Sequence, residues 1–273
     1  NSVVVPQSIY VAPNTSSATR SISLSGSGAA TFNNEIYLDG DLTVSGGTGT
    51  VTLSGKIINN KGLIISGGTV VLSNNTNTYT GATAINSGTL NLTGNIASGS
   101  AVSVASGATL SGNGTAAGTV AVTGTISPNG SGASGTLTTG AMTWNNGGQY
   151  TCDISKIPSA GSPGTDWDRL TIGGTLATPG SGAFTVAFNG TIASFSNATP
   201  YTWVIGSYTG SAPSASFVSV NTAGLTNGLN GGSFSINFSG NNINLVFTPL
   251  TWTITSSAGA NGSISPNGAT VVN

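Results

Sequence analysis

Apolar and polar residues alternate with a period of two through most of this chain, and the alternation is cut into short pieces by Ser-Gly or Thr-Gly steps. Residues 42–53 read LTVSGGTGTVTL, 63–72 LIISGGTVVL, 83–92 TAINSGTLNL, 102–110 VSVASGATL and 120–126 VAVTGTI. Each is a short strand, a corner and a second short strand. The pairs Leu42 and Val44, Val51 and Leu53, Leu90 and Leu92, Val102 and Val104, and Val120 and Val122 put apolar side chains on one strand face. Thr, Ser and Asn occupy the other face, as expected for half-buried strands.

The pieces recur at a fixed interval. The apolar residues preceding successive corners are Val44, Ile65, Ile85, Val104 and Val122, spaced by 21, 20, 19 and 18 residues. Self-similarity at this period predicts a solenoid whose rungs stack on their neighbours. The expected fold is all-β, a right-handed parallel β-helix with rungs of 18–21 residues, since parallel crossovers coil right-handed. Glycine at the corners supplies the backbone conformations that other residues reach only at a cost. After Pro128 the strands become longer and more aromatic, with AMTW at 141–144, YTCDI at 150–154, FTVAF at 184–188 and YTWVIGSY at 201–208. Wider rungs are expected there, closed by a hairpin around Gly240, Asn241 and Asn242 that caps the coil. The chain thus divides into an N-terminal strand or cap segment (1–37), a solenoid (38–200), a C-terminal β cap (201–249) and an extra strand segment or truncated β repeat (250–273).

Composition narrows the function. Only 4% of residues are charged, about a sixth of the usual share, and the net charge is −1. With 37% apolar residues, the chain lacks the low hydrophobicity and high net charge of disorder. So little net charge leaves association between copies unopposed. Five basic residues cannot neutralise a run of phosphates, so nucleic acid is not an expected partner. No apolar run reaches the roughly 18 residues that span a bilayer as a helix, so membrane insertion is not expected. Without an initiating Met or an apolar leader, the chain reads as a mature form. Asn-x-Ser/Thr triplets, from Asn14 to Asn261, are expected by chance in so Asn- and Thr-rich a sequence.

The ordered set NTYTGATAINSGTL at 77–90, SGATLSGNGT at 106–115 and GTISPNGSGASGTLT at 124–138 resembles the autotransporter-associated β-strand repeat, also called the passenger-associated transport repeat. The segments DWDRLTIGGTL at 166–176, TPYTWVIGSYTG at 199–210 and NINLVFTP at 242–249 resemble the region downstream of that repeat in such proteins, so the resemblance covers about residues 38–249. It implies a right-handed parallel β-helix exported to the bacterial cell surface or medium, in which the repeat is scaffold. Residues 250–273 resemble the opening of a small β repeat of bacterial surface proteins.

The inventory for catalysis is thin. There is no histidine, and the carboxylates are Glu35, Asp39, Asp41, Asp153, Asp166 and Asp168, which excludes His-based triads and most zinc sites. The pairs Asp39/Asp41 and Asp166/Asp168 are candidate Ca²⁺ ligands, set against the commoner role of Asp in capping turns. Asp168 beside Arg169 reads as a local polar pair. Cys152 alternates with Tyr150 and Ile154 and is expected to face inward. Trp144, Trp167, Trp203 and Trp252, with Tyr201 and Tyr208, are either core or a sugar-binding platform.

The sequence therefore predicts a non-enzymatic, extracellular structural protein without a cofactor, a stalk or a self-assembling subunit of a surface fibre. Its expected partner is a second copy of itself, joined by strand addition through 2–12 or 250–273. The alternatives are an adhesin that binds cell-surface glycan and a polysaccharide-active β-helix enzyme.

Overall fold

The computed structural model describes residues 2–13, 20–266 and 268–272. Asn14, the first of the chance triplets, lies outside the described residues. Among those described there is no helix, and the strands form an all-β parallel solenoid.

The chain climbs by laying three short strands per coil on three faces. The first face carries Arg20–Ser23, Leu42–Ser45, Val102–Val104, Val120–Val122, Met142–Trp144 and Leu176–Ala177. The second carries Ser2–Val5, Ala29–Phe32, Thr50–Leu53, Thr109–Gly112, Thr125–Pro128, Gln149–Asp153, Phe184–Gly190 and Val218–Leu225. Two long strands, Leu63–Leu72 and Thr83–Leu92, run round the corner and join both faces into one 16-stranded sheet. The third face is built from Ile9–Val11, Ile36–Leu38 and Ile57–Asn59, then from Asn95–Ile96, Thr115–Ala116, Thr136–Thr139, Arg169–Ile172 and Tyr201–Ser207. Between these two sets, the amides of Thr78 and Thr80 donate to the carbonyls of Ile57 and Asn59, each at 2.9 Å, and keep the ladder continuous.

Register follows the sequence period. Val44 pairs with Ile65, Ile65 with Ile85, Ile85 with Val104 and Val104 with Val122. All five are buried and form one apolar column inside the coil. At the corner beside this column Gly88 has φ +76°, and a Cβ there would stand 2.4 Å from the Gly68 carbonyl oxygen. Here the stacked corners approach too closely for any side chain.

The rungs widen after Pro128, as the longer strands predict. Ile126 pairs with Tyr150, and Tyr150 with Val186, 36 residues further on. Aromatic side chains fill the larger interior: Trp144 stacks on Phe184 with centroids 4.3 Å apart. The indole N–H groups of Trp167 and Trp203 donate to the carbonyls of Val204 and Lys156 at 3.0 and 2.9 Å, as buried indoles require. The coil ends on the third face where Asn242–Thr248 pairs antiparallel with both Tyr201–Ser207 and Ser233–Ser239.

One expectation needs correction. Residues 2–12, placed outside the repeat by their sequence, belong to the first coil. Ser2–Val5 pairs in parallel with Ala29–Phe32, and Ile9–Val11 with Ile36–Leu38. The tail behaves differently: Trp252–Ser256 and Gly268–Val272 pair only with each other, as a separate two-stranded sheet.

Candidate functional site

The carboxylates singled out by sequence act as acceptors for donors of neighbouring segments. Asp39 accepts the Asn59 amide through Oδ1 at 2.8 Å and the Tyr10 hydroxyl through Oδ2. Asp41 Oδ1 accepts the backbone N–H of Gly62 at 2.7 Å, one coil up. Asp166 forms an ion pair with Lys156 at 2.9 Å and caps the turn at Ser162 through its backbone N–H at 2.9 Å. Lys156 holds the Asp166 carboxyl below its usual range.

Asp168 departs from the sequence reading. No local pair with Arg169 forms, because adjacent residues on extended backbone point to opposite sides: Asp168 turns inward and is fully buried, while Arg169 opens the outward-facing side of its strand. Asp168 Oδ1 accepts the N–H of Gly135 at 2.7 Å and Oδ2 that of Asp153 at 3.0 Å. Burial pushes its carboxyl up to about 8, against the lowering effect of these two bonds. Asp153 in turn accepts the N–H of Gly132 through Oδ2 at 2.7 Å. Cys152, between Tyr150 and Asp153, is buried, and burial raises its thiol well above the usual value, so it is an inert core residue.

The aromatic platform does not form. Trp144, Trp167, Trp203 and Tyr208 are buried, and of the group only Trp252, in the tail, is exposed. Period-two alternation turns these rings inward, where the wide rungs need their volume.

A feature the sequence did not single out lies on the outside of the second face. Thr50, Thr69, Thr89, Thr109 and Thr125 stack in register, and Gln149 and Thr185 continue the column. The next outward column runs through Thr52, Val71, Asn91, Ser111 and Ser127. Outward positions in this column are partly exposed up to Asn91, yet Ser111 and Ser127 are buried. The reason is the loop that leaves Pro128: it turns at Asn129, at φ +58°, and returns over the face. The loop is held at Gly132 and Gly135, the two amides bound by Asp153 and Asp168. Between loop and face lies a groove of about 420 Å³, floored by Thr109, Ser111, Thr125, Ser127 and Gln149 and walled by Gly130 and Ser131. Among the described residues, no charged side chain lines it. The sequence signal was available: NGSGASG at 129–135 interrupts the rung period with residues that cannot pack a core.

The chain termini form a second feature. Ser2–Val5 has a pairing partner on one edge only, as does Val218–Leu225. Among the described residues, every exposed large apolar side chain lies in a terminal segment: Val3, Val4 and Tyr10 at one end, Leu250, Trp252, Ile254, Ile264 and Val271 at the other. No protein-family model and no curated protein matches the chain.

Proposed function

We propose that this chain is a non-enzymatic extracellular structural protein, a β-solenoid stalk that joins copies of itself into a bacterial surface fibre. The observation that carries this reading is the confinement, among the described residues, of exposed large apolar side chains to the terminal segments, where Ser2–Val5 also has an open strand edge. An open edge is a template for a strand of another chain, and an apolar patch gains by being covered. The flanks between them are nearly uncharged and rich in hydroxyls. Export to the bacterial surface is supported by the likeness of residues 72–137 to the autotransporter-associated repeat. The absence of catalysis is supported by chemistry: Asp39, Asp41, Asp153, Asp166 and Asp168 are all engaged in hydrogen bonds that tie loops or coils together.

Light scattering of the purified chain over a range of concentrations, with electron microscopy of the same samples, tests the reading. Ordered filaments or end-to-end chains of rods are expected. A monodisperse monomer at high concentration, with the 250–273 tail open to protease, overturns self-assembly.

A further inference from the structure

We propose that the groove on the second face is a binding site for a neutral polysaccharide, independent of whether the rods join end to end. The wall of the groove is fixed in advance. Two buried carboxylates, Asp153 beneath the loop and Asp168 inside the coil, accept the Gly132 and Gly135 amides at 2.7 Å each, and Asn129 Nδ2 donates to the Ser134 carbonyl at 3.2 Å. A loop anchored at two points and braced by an internal bond keeps its shape when a ligand enters, which lowers the ordering cost of binding.

The lining selects the ligand. Thr109, Thr125 and Ser111 offer hydroxyls and Gln149 an amide, so the groove exchanges hydrogen bonds in both directions and has no charge to attract an anion or a cation.

Repeat distance adds a geometric match. Thr109, Thr125 and Gln149 stand on successive rungs, about 4.8 Å apart. That spacing is close to the length of one residue of an extended hexopyranose chain, so consecutive sugars meet consecutive rungs. Without an aromatic ring in the lining, recognition rests on hydrogen bonds alone, and affinity in the ~millimolar range is expected.

Saturation-transfer difference NMR tests the site on the full chain, because it reads weak binding whether the protein is a monomer or a filament. The probes are cellohexaose, mannohexaose, maltohexaose and, as an anionic contrast, trigalacturonate. Saturation of at least one neutral hexaose is expected, with about tenfold weaker binding in the double variant Thr109→Val/Thr125→Val, which keeps side-chain shape and removes two hydroxyls. No transfer to any neutral oligosaccharide, transfer to trigalacturonate alone, or equal transfer in wild type and the double variant overturns the proposal.

Discussion

Asp168 binds the backbone N–H of Gly135 at 2.7 Å across 33 residues of sequence, and it does so as a fully buried acid. The bond ties the start of one third-face strand to the loop that precedes the strand one coil below. It therefore closes the solenoid at the point where the rungs begin to widen.

The titration of Asp168 is a consequence of this burial. Its carboxyl is raised to about 8 in the fold, against roughly 4 in an unfolded chain. Between those values the folded state holds a proton that the unfolded state has released. Its contribution to stability is thus complete below about pH 4, falls as pH rises, and is lost above about pH 8. Urea midpoints measured between pH 4 and 9 are expected to show this decline, and Asp168→Asn, which keeps the shape of the neutral acid, is expected to flatten it.

Asp41 offers a second check. Its Oδ1 accepts the Gly62 amide of the next coil, so Asp41→Ala leaves that donor without its partner. A loss of about 1 kcal/mol is expected, equal in EDTA and in millimolar Ca²⁺. A loss that appears only with Ca²⁺ would assign the residue to a cation instead.

The central apolar column and its corners make different demands. Ile85→Ala removes a buried side chain between Ile65 and Val104 and is expected to cost about 2–5 kcal/mol, with no local repacking because rungs above and below fix the gap. Gly88→Ala adds one carbon where φ is +76° and the Gly68 carbonyl is 2.4 Å away. That change is expected to prevent stacking at this rung and to lower the thermal midpoint more than a Gly259→Ala control, where no heavy atom lies within 4 Å of the added carbon.

The tail is expected to be dispensable for folding. Its two strands pair only with each other, so truncation after Leu250 should leave the far-UV circular dichroism of the solenoid intact and shift the midpoint by no more than about 2 °C. Under the function proposed above, the same truncation abolishes concentration-dependent association, which light scattering reads directly.

The coil was legible in the sequence because its cause is local and repeated. Every rung needs an apolar residue at the same place, so Val44, Ile65, Ile85, Val104 and Val122 announce their own stacking, and their observed register is the one their spacing predicts. Inward-facing Cys152 was legible for the same reason. The first coil was less so: residues 2–19 contain no Ser-Gly corner, and only pairing with Ala29–Phe32 and Ile36–Leu38 reveals that 2–12 belong to the ladder.

Tertiary structure alone decided the partners of the polar groups and the existence of the groove. Alternation states that Asp168 and Arg169 face opposite ways, but it cannot say that Gly135 waits on the inner side. Likewise, Thr109, Ser111, Thr125 and Ser127 are ordinary outward positions of a strand until the 129–135 loop folds back over them. Periodicity fixes where side chains point. Their contacts depend on segments distant in sequence, and those are set only when the coil closes and brings them within hydrogen-bonding distance.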